Sequence, residues 1–111
     1  MAAPQPTLLS PDQIAEAAAR LPRWQVVDNH HLRRRWSDFP DFRSALAFAH
    51  VVGREAEAAG HHPDLSLGWG YLSVTLTTHD LGGLSQLDFE LATRLDQLPV
   101  EGHPDPFRSS T

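Results

Sequence analysis

At 111 residues the chain suits one domain with a single core, and its 41% hydrophobic and 21% charged residues are those of a soluble globular protein. It has no cysteine, which excludes disulfide frameworks and thiolate nucleophiles, and all nine of its basic residues are arginines, which excludes Schiff-base and phosphate-loop lysines. A net charge of −5 argues against general nucleic-acid affinity. No apolar run could cross a bilayer and Met1 to Ser10 lacks the features of a signal peptide, so a cytoplasmic protein is expected, with neither membrane nor nucleic acid as partner.

Ser10-Pro11-Asp12-Gln13 starts a helix: a capping serine, proline at the first helical position and glutamine at the capping-box position. Ile14, Ala17, Ala18 and Leu21 recur on one face and Pro22 closes the segment. Trp24–Val27 and His31–Trp36 read as strands joined at Asp28-Asn29. In the second, Leu32, Arg34 and Trp36 share one face while Arg33 and Arg35 share the other.

Asp38 is placed to cap a long helix from about Pro40 to Ala59, with Phe42, Ala45, Leu46, Ala49, Val52, Ala56 and Ala59 as its apolar stripe. Gly60 is a left-handed stop and Pro63 prevents continuation. Leu65–Trp69 and Tyr71–Thr78 form a second hairpin, turning near Gly68 and Gly70, with His79 at the end of the return strand. Leu72, Val74 and Leu76 point one way, Ser73, Thr75 and Thr77 the other. Ser85, with Asp88 three residues on, opens a last helix that turns Leu87, Leu91 and Leu95 to the core and ends at Pro99.

The order α-β-β-α-β-β-α gives an α+β fold, a four-stranded antiparallel sheet with three helices packed on one face. Residues 1–98 form the domain, and 99–111, rich in Pro, Gly, Ser and Thr, form a flexible tail. The open sheet face, or a sheet edge, is free to pair between subunits. Arg33, Arg34 and Arg35 alternate faces instead of forming one patch, so they fit a solvated or subunit-facing strand better than a nucleic-acid surface. Trp24, Trp36 and Phe42 read as core.

The chemistry concentrates at His61, His62 and His79, because histidine changes charge near neutrality and serves as acid and base without a cofactor. Glu57 lies four residues before His61, so on a continuing helix it would orient that imidazole; an exposed ion pair at a helix end is the plainer alternative. Three histidines also suit zinc, but the HExxH spacing is missing and adjacent histidines project in different directions. Ser66, Ser73 and Ser85 have no nucleophile-elbow context, and Asp88 is accounted for as the partner of Ser85 in a helix cap.

Glu57-x-x-x-His61-His62-Pro63, then Trp69, Thr75-Leu76-Thr77-Thr78-His79, Gly83-Leu84-Ser85 and Asp88 resemble the pterin-4a-carbinolamine dehydratases in order and spacing, from the Trp24 strand to the last helix. The resemblance implies a hydro-lyase that converts a 4a-hydroxytetrahydropterin to the quinonoid dihydropterin, with no metal and no cofactor beyond the pterin substrate. It implies His61, His62 and His79 as catalytic residues, Glu57 as their support, and Pro63, Trp69, Thr78, Asp80 and Leu81 along the pterin slot. It further implies a homodimer or homotetramer and work alongside an aromatic amino-acid hydroxylase. The rival reading is a non-enzymatic pterin- or protein-binding module, since animal relatives also serve as dimerisation cofactors of a transcription factor.

Overall fold

The computed structural model describes residues 5–101, so the tail expected over 99–111 lies, past Glu101, outside the described residues, as do residues 1–4. The chain forms α1 (Pro11–Ala18), β1 (Gln25–Val27), β2 (His31–Trp36), α2 (Phe42–Ala59), β3 (Asp64–Gly68), β4 (Tyr71–Leu76), a 3-10 turn (His79–Leu81) and α3 (Gln86–Asp96). The strands make one antiparallel sheet in the order β1-β2-β4-β3. The α+β arrangement expected from the sequence is the one observed.

Alternation along β4 does most to set the layers. Leu72, Val74 and Leu76 are fully buried, and with Leu32 and Trp36 of β2 they form the sheet's contribution to the core. Ala45, Phe48, Ala49, Val52 and Ala56 of α2 lie over them, with Leu91, Ala92 and Leu95 of α3. Trp36 meets Trp24 edge-on at 6.0 Å and Phe48 at 5.3 Å, geometries that aromatic quadrupoles favour. Asp96 of α3 accepts from both Trp24 Nε1 and Arg34 Nη1, tying α3 to β2 through the one arginine of the triplet that faces inward.

Several boundaries differ from expectation. The cap of α2 is Asp41, not Asp38: its Oδ1 accepts the Ser44 N–H at 2.7 Å, and α2 starts at Phe42. Proline disfavours helix in the residue before it, which keeps Phe39 extended; Phe39 is buried and its N–H reaches the Gly70 carbonyl. Phe42, at the helix tip, is 44% exposed, and Phe48 takes its expected place in the core. The last helix buries Phe89 and Asp88 more deeply than Leu87. Trp69 falls outside β3 and is 75% exposed at the hairpin tip, while Thr78 leaves β4 to form an isolated bridge with Gly83.

The Asp41 cap also gives the fold a pH signature. Hydrogen bonds from Ser44, helped by the nearby Arg43 charge, hold the Asp41 carboxyl below its ordinary range. A depressed folded-state pKa stabilises the fold above the unfolded value, and that stabilisation fades as pH falls through the folded one. Asp41→Asn keeps a cap acceptor but cannot titrate, so its melting temperature should approach that of the wild type as the medium is acidified below the usual carboxylate range. A gap that stays constant from pH 7 into acid would count against this linkage.

Candidate active site

The histidine end of the sheet is built by chain reversals. Gly60 adopts the left-handed conformation (φ 67°), and the N–H of His61 folds back onto the Ala56 carbonyl. Asp28 and Asn29 are left-handed too (φ 54° and 51°), as tight hairpin turns require. At the same sheet end Thr77 Oγ1 donates to the His30 carbonyl at 2.8 Å, locking the β1–β2 turn to the end of β4.

The Gly60 reversal overturns the expected Glu57–His61 pair. That pair needs the helix to continue, whereas here the chain leaves the helix axis and carries His61 away from Glu57. Glu57 Oε2 instead meets His62 Nε2 at 2.7 Å, and both side chains are mostly exposed. His61 Nε2 meets Asp88 Oδ1 at 2.5 Å, with the carboxylate fully buried and the imidazole nearly so.

Asp88 therefore does more than cap a helix. Its Oδ2 accepts from Thr78 Oγ1 at 2.8 Å and from the Ser85 N–H at 3.0 Å. Ser85 Oγ lies 2.6 Å from Thr78 Oγ1 and accepts the Leu87 N–H at 3.2 Å. The donors run one way: Leu87 N–H to Ser85, Ser85 hydroxyl to Thr78, Thr78 hydroxyl to Asp88. With Oδ2 already taking two donors and Oδ1 facing the ring, a neutral His61 donates its Nε2–H to Asp88 and leaves the Nδ1 lone pair free. No buried side-chain polar atom among the described residues lacks a partner. Such a closed network fixes the ring's orientation.

Asp88 also links the two parts of the histidine set. Thr78 is held by its side chain to Asp88 and by its backbone to Gly83, with Thr78 N–H to Gly83 carbonyl at 2.9 Å. His79 follows directly, exposed at the start of the 3-10 turn that also carries Asp80 and Leu81 and is closed by left-handed Gly82 (φ 69°). His61 and the residue before His79 are thus joined through one carboxylate. His62 and Pro63 lead straight into β3 beside them.

Trp69 is not part of this constellation within one chain. β3 pairs with β4 from Asp64↔Thr75 at the histidine end to Gly68↔Tyr71 at the tip, which puts Trp69 about 20 Å along the strand from His62-Pro63. The hairpin register, invisible to motif spacing, separates them. Hollows of about 490 Å³ beside the start of α2 and about 310 Å³ between α1 and α3 are lined by other residues. The exposure of His62, His79 and Asp80 makes the histidine end an open rim. Among the described residues there is no cluster of three or more His, Asp or Glu placed to hold one metal ion.

A profile of the pterin 4 alpha carbinolamine dehydratase family matches residues 7–98. The chain belongs to that family. A protein from Rubrobacter xylanophilus provisionally named pterin-4-alpha-carbinolamine dehydratase is 44% identical over 90 residues, 81% of this chain and 83% of its own. One of the same provisional name from Alkaliphilus metalliredigens is 42% identical over 94 residues, 84% of each chain. The fold is similar to the crystal structure of a transcriptional coactivator/pterin dehydratase from Brucella melitensis, with TM-score 0.71 and 31% identity over 79% of this chain and 94% of that one. It is also similar to a pterin dehydratase-like RuBisCO assembly factor of the alpha-carboxysome, with TM-score 0.52 and 27% identity over 67% of this chain and 83% of that one. No helix among the described residues is long and apolar enough to cross a membrane.

Proposed function

We propose that this family member is a cytoplasmic hydro-lyase that converts a 4a-hydroxytetrahydropterin to the quinonoid dihydropterin by histidine acid–base catalysis. The observation that carries the reading is the buried Asp88 carboxylate, which grips His61 on one oxygen and the residue before His79 on the other. Dehydration needs two proton transfers: hydroxide leaves C4a only if protonated as water, and a ring N–H loses its proton as the quinonoid forms. His61, with Nε2–H on Asp88 and Nδ1 open, is the base, and Asp88 stabilises the imidazolium that results. His79, on its exposed turn, delivers a proton to the departing hydroxyl. His62, steadied by Glu57, holds the pterin together with Pro63, Thr78, Asp80 and Leu81. A homodimer or homotetramer fed by an aromatic amino-acid hydroxylase is part of the same reading.

The test is dehydration of synthetic 4a-hydroxytetrahydropterin by the purified chain, followed by ultraviolet absorbance with and without chelator. A chelator-insensitive rate far above buffer is expected; a rate equal to buffer overturns the reading. A second reading, a non-enzymatic pterin- or protein-binding module, is favoured by the two structural relatives described as a coactivator and as an assembly factor. It predicts pterin or protein binding without turnover.

A further inference from the structure

A different part of the sheet carries arginines that form no ion pair among the described residues. A hollow of about 410 Å³ is bordered by Arg23, Gln25, Arg33, Arg34, Arg35 and Ser73. Arg34 turns to the helix face and is taken by Asp96, so Arg23, Arg33 and Arg35 set the charge of the hollow. The register explains how they meet. Gln25 pairs with Arg33, Arg35 pairs with Ser73, and Arg23, in the turn that leads into β1, borders the same hollow. Three guanidinium groups, the Gln25 amide and the Ser73 hydroxyl thus border one hollow.

Among the described residues no carboxylate forms an ion pair with Arg23, Arg33 or Arg35. Asp64, in the same cross-strand row as Arg33, stands beyond Thr75 and does not reach it. Like charges on neighbouring strands repel, and no ion pair among the described residues offsets this group although the chain's net charge is −5. Two of the three are also held in place. Arg33 Nη2 donates to Gln25 Oε1 at 3.4 Å, and the Arg35 guanidinium lies 4.1 Å from the centre of the Tyr71 ring. Side chains already held lose less freedom when they bind a ligand.

We propose that this hollow binds the linked phosphates of a small polyanion, such as a diphosphate ester. Guanidinium forks match phosphate oxygens two at a time. Arg33 and Arg35 stand roughly 7 Å apart along β2, one fork for each of two joined phosphates, with Arg23 closing the far side. None of His61, His62 and His79 lines the hollow, so it does not depend on the dehydratase reading.

The test is calorimetric titration of the full chain with inorganic pyrophosphate at low salt and again at 0.5 M sodium chloride. Saturable binding is expected, weakened at least tenfold by salt. Arg33→Gln/Arg35→Gln should weaken it at least tenfold without lowering the melting temperature, while Arg94→Gln, which removes an arginine paired elsewhere with Glu55, should leave it unchanged. Should the double variant fail to fold, Arg23→Gln, outside any strand, carries the same expectation. Absence of binding, or binding indifferent to these substitutions, overturns the proposal. So does binding of a single-stranded oligonucleotide where pyrophosphate does not bind, which would mark a nucleic-acid surface.

Discussion

His61→Ala is expected to lower the turnover of 4a-hydroxytetrahydropterin by roughly two to four powers of ten, the usual contribution of one positioned acid or base. His79→Ala should cost a similar factor, but the two variants should differ in stability. Removing the His61 ring leaves Asp88 Oδ1 buried without its partner, which costs about 1–3 kcal/mol. His79 is exposed on its turn and ties nothing down, so its variant should melt with the wild type. His62→Ala, losing an exposed pair with Glu57, should raise KM more than it lowers kcat. Stopped-flow absorbance gives the rates and thermal unfolding the stabilities. If folded His61→Ala and His79→Ala each kept turnover within threefold of the wild type, histidine acid–base catalysis would be ruled out.

What the sequence made legible follows the range of the interactions involved. Capping and alternation act within a few residues, so the Ser10 and Ser85 capping boxes, the Gly60 stop and the inward row Leu72, Val74 and Leu76 were readable from the chain. Asp38 and Asp41 are both able to cap, and only the burial of Phe39 against the hairpin tip separates them. The Glu57–His61 pair does not form for a related reason: the same Gly60 that ends the helix also redirects His61. Asp88 stands 27 residues from His61 and is already explained by a local motif, so nothing in its spacing announced a second role. Apart from the family pattern, the available signal is that a buried cap carboxylate has more acceptor capacity than one backbone N–H group uses.

Asp88→Asn separates those two roles, and the tautomer argument fixes its outcome. The oxygen that receives Thr78 Oγ1 and the Ser85 N–H must remain an acceptor, so the new amide NH₂ faces His61. His61 Nε2 must then accept instead of donate, which moves its proton to Nδ1, the nitrogen assigned as the base. The cap and the Thr78 anchor survive, but the base is in the wrong tautomer and has lost the charge that would stabilise its imidazolium. The expected result is a fall in kcat of about 10²–10⁴-fold, with KM little changed and the acidic limb of the pH–rate profile altered. Asp88→Ala differs: it strands Thr78, Ser85 N–H and His61 together in a buried site, and should cost roughly 3–5 kcal/mol of stability. A folded Asp88→Asn with wild-type kcat and pH profile would reduce Asp88 to a helix cap and leave His61 to be oriented by something else.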